Sequence, residues 1–299
     1  MSVSIVPLEA LDRADVLEVI GEAFGRPRSP DWYRWKHEEG PWGRSIGLGA
    51  LEGGRLLGLR LLLPWGLRID GVPVRCYRAV EAATRPEAQG RGLFSDLNRE
   101  LMTMVEAAGP TVLFSTPNEN SRRAYRRLGW TWLGPISHRY ALVAPLPSRG
   151  VIRAEARKAP PFTGTHGTVA TGWDESSWRW RTDPRCGHEY TTSWIESSDG
   201  TNGLTYRTAM AHRLPCALVL AAWGRPDLVG RAASSAALHL RGPLVLEAAG
   251  EGASKPVCQR GSTRGGSLLA VWTSHDEDLG AARRLDCWQT NFADLESVL

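Results

Sequence analysis

Hydrophobic and polar residues along the first part of the chain follow patterns that predict a mixed α/β order. Residues 4–6 form a short apolar run, and residues 11–24 place apolar side chains at close to helical spacing. Two long apolar runs then flank Gly53-Gly54, which indicates a hairpin, and Asp70-Gly71 indicates a second turn before residues 74–84. The pattern predicts a strand, a helix and three antiparallel strands.

After residue 84 the spacing of the hydrophobic residues changes from that of strands to that of a helix. Residues 94–107 predict a helix with Leu97, Leu101, Met104 and Val105 on one face. A short apolar strand at 110–115 and an Arg-rich helix at 119–128 follow, and we expect a terminal hairpin at 130–143.

A composition change near residue 150 predicts a second domain. Residues 145–161 (PLPSRGVIRAEARKAPP) contain four prolines, so we predict a domain at 1–147, a linker at 148–162 and a second domain at 163–299. The motif DWYRWK at 31–36 returns as SWRWR at 177–181, and glycine turns and apolar runs follow each copy. This repeat predicts that the second domain is a degenerate duplicate of the first.

Composition narrows the functional classes. The 299 residues are 42% hydrophobic and carry a net charge of +4 that is spread along the chain, so an anionic small ligand suits it at least as well as nucleic acid. We expect no nucleic-acid partner. No apolar run of about 18 residues and no signal peptide is present, so we expect a cytoplasmic protein without a membrane partner. The five cysteines are scattered without a CxxC pair, so we expect neither a metal site nor disulfides.

The segment RPEAQGRGLFSDLNREL at 85–101 is the main candidate for chemistry. It reads as a strand end, a glycine-rich loop and a helix start, and free N–H groups at a helix N-terminus bind anions. Gly90 and Gly92 have no Cβ to block an approaching phosphate, and Arg91 adds positive charge. By itself the loop is equally compatible with a tight turn that starts a helix.

Two sequence blocks together resemble the GNAT superfamily of acyl-CoA-dependent N-acyltransferases. Gln89 to Gly92 is similar to the family loop Q/R-x-x-G-x-G/A, with Phe94 where a small residue is usual. Residues 118–130 resemble the family block N-x-x-A-x-x-x-Y-x-x-x-G-F, with Ser and Trp replacing Ala and Phe. The resemblance implies a mixed α/β fold with a mostly antiparallel sheet, splayed between its fourth and fifth strands, and flanking helices. The second, GNAT-like domain would lack the loop.

The resemblance also implies roles for individual residues. Tyr125 would protonate the leaving CoA thiolate, and Asn118 would contact the cofactor, a role that is compatible with a helix cap. The pantetheine arm and the thioester carbonyl would meet the strand end at Ala82, Ala83 and Thr84. The pyrophosphate would bind the backbone amides of Gln89, Gly90, Arg91, Gly92 and Leu93.

The general base stays open at this level. Glu81 lies where family members often place a carboxylate, while His37 and His138 are outside candidates. Water, or the C-terminal carboxylate near Asp294 and Glu296, is a further alternative. The aromatic residues that would line an acceptor pocket are Trp32 and Trp35, with Trp42 and Trp65 nearby in the sequence.

The expected activity is transfer of an acetyl group from acetyl-CoA, or from another acyl-CoA, to a primary amine. The acceptor would be a small molecule such as an amino sugar or natural product, attacking directly in a ternary complex. Two alternatives remain: an aminoacyl transfer of the Fem type, and a module that binds acyl-CoA without turnover. We expect a monomer or a homodimer.

Overall fold

The computed structural model describes residues 2–156, 169–211, 213–242, 244–249, 262–274 and 279–290. The chain divides into two compact units. Unit 1 consists of residues 1–133 and 269–283, and unit 2 of residues 134–268 and 284–298. Across the described ranges, no helix is long and apolar enough to cross a membrane.

Unit 1 consists mainly of an antiparallel sheet and four α-helices. Its strands are β1 (Val3–Pro7), β2 (Ile46–Glu52), β3 (Arg55–Pro64), β4 (Leu67–Ile69), β5 (Val72–Pro73), β6 (Cys76–Thr84) and β7 (Val112–Ser115). Its helices are α1 (Arg13–Phe24), α2 (Pro30–Tyr33), α3 (Leu93–Ala107) and α4 (Glu119–Arg127). A π-helical turn, Arg34–Glu38, continues directly from α2.

The sheet of unit 1 opens between its fourth and fifth strands. The spatial order is β1-β2-β3-β6-β7, and every pair is antiparallel except β6 with β7. Strand β6 pairs with β7 only over residues 76–78, although β6 continues beside β3 as far as Thr84. One edge of residues 79–84 is therefore not paired with β7, as the predicted splay requires.

Helix α3 provides most of the helical contribution to the core of unit 1. Leu93, Leu97, Leu101 and Val105 recur every four residues and pack with buried side chains of β2 and β3. Met104 was expected on this face but is 41% exposed. The apolar face of α3 is narrow, and position 104 lies outside it, on the solvent-exposed side of the helix.

Unit 2 has the strand connectivity of unit 1. Its strands are β8 (Thr131–Leu142), β9 (Val151–Glu155), β10 (Val169–Thr171), β11 (Thr191–Ser197), β12 (Gly200–Ala211), β13 (Leu214–Trp223), β14 (Leu244–Ala249), β15 (Ser262–Thr273) and β16 (Trp288–Gln289). Its helices are α5 (Glu175–Arg181) and α6 (Pro226–Leu240).

The order β9-β11-β12-β13-β14 matches β1-β2-β3-β6-β7 strand for strand, and the last pair is again parallel. Alanine-rich α6 packs on this sheet as α3 does in unit 1. The predicted fold class, a mixed α/β fold with a mostly antiparallel sheet, is confirmed.

The chain divides differently from the sequence-based boundary near residue 150. Residues 130–143 do not form the expected hairpin but contain the single strand β8, whose Gly134 has a φ of 123°. Strand β8 begins in unit 1 and then pairs with β14, while residues 270–273 of β15 pair with β7. Strand β9 lies inside the predicted linker. The boundaries of the compact units are determined by which strands pair, and the proline and charge content of the sequence does not reveal that pairing.

Replacing Leu97 by Ala should destabilise the protein by about 2–5 kcal/mol, because it removes buried methylene groups from a side chain that is 1% exposed. Met104→Ala on the same helix is the control and should change the free energy of unfolding by no more than about 0.5 kcal/mol. Urea denaturation followed by circular dichroism measures both values. Equal losses would contradict the placement of the α3 core face.

Candidate active site

A β-bulge in β6 presents Glu81. Arg60 of β3 lies opposite Ala82, and the next residue, Leu61, lies opposite Val80, so Glu81 is an extra residue in the ladder. Its φ is +40°, a conformation that costs a non-glycine residue on the order of 1–3 kcal/mol. Bulges of this kind re-aim a side chain and are frequent next to active sites.

The Glu81 carboxylate is buried against two consecutive residues of the π-helical turn. Lys36 Nζ lies 2.5 Å from Glu81 Oε1, and His37 Nε2 lies 3.7 Å from Glu81 Oε2. Lys36 is completely buried and Glu81 is 9% exposed. A buried carboxylate of this kind is stable in its charged form only with a partner, and Lys36 is that partner.

Burial and charge shift the pKa of all three groups. Burial is the largest single influence on the pKa of Glu81 and raises it, but the charge and hydrogen bond of Lys36, together with His37 and Arg28, leave that pKa below its usual value. Burial lowers the pKa of Lys36 to about 8 even though Glu81 opposes the shift. Burial also lowers the pKa of His37 to about 3, so this imidazole is neutral and a weak base.

Four buried polar atoms around Glu81 have no hydrogen-bond partner in the described chain: Glu81 Oε2, His37 Nε2, Trp32 Nε1 and Arg28 Nε. They belong to one cluster. The Trp32 ring centroid lies 5.5 Å from that of His37, and the Arg28 guanidinium carbon lies 4.4 Å from the Trp32 ring. His37 Nδ1 is occupied by Ser45 Oγ at 2.9 Å.

The other tryptophans of the expected acceptor wall are placed differently. Trp35 is fully buried, which favours a packing role for it. Trp65 is 2% exposed, and its ring packs against Trp42 with 5.0 Å between the centroids. Trp32, by contrast, contacts both His37 and Lys36 of the Glu81 cluster.

Tyr125 of α4 is buried in the core of unit 1, and its hydroxyl takes part in a hydrogen-bond chain. Arg60 Nη2 donates to the Tyr125 hydroxyl, which in turn donates to Ser115 Oγ at 3.3 Å. The ring stands edge-on to Trp130 and Phe94, at 4.5 and 5.5 Å between centroids. Ser115 is the last residue of β7, so this hydroxyl lies at the end of the fifth strand, where the sheet has opened.

The loop between β6 and α3 leaves a run of backbone donors free. Ser95 and Asp96 donate to the carbonyl of Gly92, and the N–H of Gln89, which was expected to bind the pyrophosphate, donates to the carbonyl of Pro86 at 3.3 Å. The N–H groups of residues 90–94 have no acceptor among the residues that the structure places. Gly90 and Gly92 have φ values of 78° and 84°, and a Cβ built at Gly90 would meet open space. The Arg91 side chain pairs with Glu52 at 2.6 Å.

Arg85 fixes the start of this loop, and sequence reasoning gave it no role. It is 3% exposed and donates to the carbonyl of Leu56 at 2.8 Å. Its guanidinium also pairs with Glu18 and Glu22 of α1, at 2.8 and 2.5 Å. Glu18 and Glu22 lie four residues apart on one face of α1, and this spacing in the sequence indicates that the two carboxylates can share one cationic partner.

The remaining predicted residues have clear positions. Ala82, Ala83 and Thr84 pair with Arg60, Leu59 and Gly58 of β3 through one edge. Asn118 caps α4 by accepting from Ser121 N at 3.1 Å. The backbone of His138 lies in β8, and Asp294 and Glu296 lie outside the described residues. Over the described ranges, no group of His, Cys, Asp or Glu side chains is arranged to hold a metal ion.

Unit 2 has no corresponding loop. Two residues, Gly224 and Arg225, connect β13 to α6, whereas residues 85–92 connect β6 to α3. The Arg225 N–H is already bonded to Asn202 Oδ1 at 2.8 Å, and a Cβ at Gly224 would overlap that side chain. The start of α6 is therefore closed to an anion by its own packing.

Comparison with known proteins agrees with this geometry. Residues 4–133 match the family model described as "Acetyltransferase (GNAT) domain", so this part of the chain is similar to that family. No curated protein matches the sequence.

Solved structures with the same fold share little sequence. A GCN5-related N-acetyltransferase from Anabaena variabilis is 11% identical with a TM-score of 0.64, covering 91% of this chain and 73% of its own. A conserved protein of unknown function from Enterococcus faecalis, described as a probable N-acyltransferase, is 11% identical with a TM-score of 0.63, covering 91% and 72%. A tandem GNAT protein from the clavulanic acid biosynthesis pathway is 14% identical with a TM-score of 0.58, covering 92% and 99%.

His37 should make the protein less stable in acid. Its pKa of about 3 in the folded state lies below the unfolded value of about 6.5, so the unfolded chain binds the extra proton between these values and stability falls as the pH drops through this range. One such proton contributes a slope of about 1.4 kcal/mol per pH unit. His37→Gln should remove that part of the slope between pH 6.5 and 4.5, as measured by urea denaturation. His188→Gln should leave it in place, and equal slopes for parent and His37→Gln would refute the assignment.

Proposed function

We propose that unit 1 transfers an acetyl group from acetyl-CoA to a primary amine of a small molecule. The observation that carries this proposal is the run of unpaired backbone N–H groups at residues 90–94, next to the opening between β6 and β7. An acyl-CoA has a pyrophosphate for such a run and amide groups for a free strand edge. The family match of residues 4–133 supports the same reaction class.

The loop would bind the pyrophosphate through its backbone. The N–H groups of residues 90–94 and the positive end of the α3 dipole both favour an anion. Gly90 and Gly92 keep the approach clear of side-chain atoms. Arg91 would exchange part of its interaction with Glu52 for the phosphate, because a doubly charged group competes well for a half-exposed guanidinium.

The free edge of β6 would hold the pantetheine arm and the thioester. Residues 79–84 use one edge for β3 and leave the other unpaired with β7, so the backbone groups that point to this second edge, which belong to alternate residues of the stretch from Ala82 to Thr84, are available to the arm. A backbone N–H directed at the thioester oxygen would stabilise the negative charge that develops there during attack.

Glu81 and Tyr125 would carry the two proton transfers. The amine nitrogen attacks the thioester carbon and gives its proton to Glu81, while the C–S bond breaks and the thiolate takes a proton from the Tyr125 hydroxyl. Lys36 holds Glu81 ionised through Oε1 and leaves Oε2 as the free acceptor. His37 is a weak base, because burial lowers its pKa to about 3.

The alternative of an aminoacyl transfer of the Fem type makes no use of the loop, because a tRNA donor has no pyrophosphate to place there. A module that only binds acyl-CoA would use the loop but would have no need for a strained, buried and lysine-paired Glu81. Acetyl-CoA binding distinguishes acetyl transfer from the Fem-type alternative, and the effect of Tyr125→Phe on kcat distinguishes an enzyme from a binding module.

Acetyl-CoA should bind to the protein with micromolar affinity, and Arg91→Glu combined with Gly92→Glu should weaken binding at least about 100-fold, because both changes place negative charge at the pyrophosphate. The matched control is Arg99→Glu combined with Thr103→Glu, which adds the same charge on the exposed face of α3. Isothermal titration calorimetry measures both. Equal weakening by the control pair, or no binding of acetyl-CoA or CoA by the parent, would refute the loop assignment.

Tyr125→Phe should lower kcat for acetyl transfer about 100-fold or more, since it removes the proton donor and retains the ring that packs against Trp130 and Phe94. The Kd for acetyl-CoA should change less than about 2-fold, because the hydroxyl acts only as the thiolate leaves. A thiol-release assay and calorimetry give the two numbers. An unchanged kcat would exclude Tyr125 as the acid.

A further inference from the structure

Arg28 places a positive charge without a described counter-ion beside Glu81. Its side chain is half-buried, its guanidinium stacks on Trp32, and its Nε atom is buried with no hydrogen-bond acceptor in the ranges that the structure covers. Arg85, by contrast, is buried with two carboxylates. A cation whose buried Nε has no acceptor is costly, so its retention points to a ligand that supplies the missing negative charge.

The charges of Arg28, Glu81 and Lys36 influence one another. Burial lowers the pKa of Arg28, and Glu81 partly reverses this effect. Arg28 in turn contributes to the lowering of the Lys36 pKa. Because Lys36 already neutralises Glu81, the charge of Arg28 is left over.

The unpartnered atoms of the cluster divide into two kinds. Arg28 Nε and Trp32 Nε1 carry hydrogens and require an acceptor, and Glu81 Oε2 requires a donor, whereas His37 Nε2 donates or accepts according to the tautomer of the neutral ring. Each buried polar group that stays unpaired costs about 1–3 kcal/mol. One ligand satisfies both kinds if it has an anionic, accepting end and an N–H donating end.

We propose that the acceptor is an amine that carries a carboxylate, as an amino acid does. Arg28 binds the carboxylate, Trp32 covers the stem of the acceptor, and the amine lies at Glu81 Oε2. This inference rests on the proposed acetyl transfer and narrows its acceptor. It disfavours polyamines and aminoglycosides, whose several positive charges would meet Arg28 and Lys36 with no second carboxylate described in the cluster.

The experiment compares amino acids with their decarboxylated counterparts as acceptors for acetyl-CoA. Suitable pairs are phenylalanine with phenethylamine, tyrosine with tyramine, and lysine with cadaverine, with spermidine added as a polycation. Release of the CoA thiol gives kcat and KM for each. We expect kcat/KM to be about 10- to 100-fold higher for the acid-bearing member, which is the usual range for a charged hydrogen bond.

The variant Arg28→Gln should raise KM for the amino acid about 10- to 100-fold, change kcat less than about 3-fold, and leave the decarboxylated amine unaffected. Arg28→Lys should retain part of the preference and serves as the second variant if Arg28→Gln does not fold. Arg26→Gln, an exposed arginine two residues away, should change none of these values.

Three results would overturn the inference. They are equal kcat/KM values within the pairs, an equal effect of Arg28→Gln on both members of a pair, and acetyl-CoA binding without acetylation of any acid-bearing amine. In all three the loop assignment survives, because acetyl-CoA still binds. If acetyl-CoA does not bind at all, the proposed function fails and the inference fails with it.

Discussion

The buried ion pair between Lys36 and Glu81 is the constraint on which the candidate site depends. Either charge alone in this environment would cost several kcal/mol, so each residue requires the other. The pair ties the π-helical turn after α2 to the bulge in β6, two segments that are distant in the sequence. It also explains how a strained φ at Glu81 persists, since the ion pair and its buried surroundings hold the residue there.

The sequence predicted what local patterns encode. The glycine-rich loop before α3 and the start of that helix could be predicted, because glycine, charge and helix periodicity are recognised within a few residues. The environment of Glu81 could not be predicted, because the alternation of residues along a strand does not show where a bulge inserts an extra residue. Its partner Lys36 is also 45 positions away in the sequence. The undivided strand β8 was missed for a related reason: a hairpin was expected over residues 130–143, whereas a single strand spans residues 131–142 with Gly134 inside it.

The two units show how little is needed to remove an anion site from a shared strand order. Both have four antiparallel strands, a helix and a parallel strand in the same order. Unit 1 gives the connection before its helix the length to expose a run of N–H groups, while unit 2 shortens it and uses Arg225 N–H for Asn202. The core helix and its packing on the sheet remain in unit 2, where α6 buries alanines as α3 buries leucines. The fold therefore tolerates the loss of the site.

The π-helical turn Arg34–Glu38 has a consequence for how this site changes over evolutionary time. Such a turn contains one residue more than the α-helical turn it replaces, and Glu39 N–H donates to the Arg34 carbonyl across the longer ring. This geometry accommodates Trp35, Lys36 and His37 as three successive buried side chains. A single-codon deletion here would restore a regular helix and rotate the following side chains by about 100°. A homologue with this deletion would keep every residue type of the cluster and still lose their arrangement. Insertions and deletions at this turn are therefore a better indicator of whether two homologues share an activity than percentage identity is.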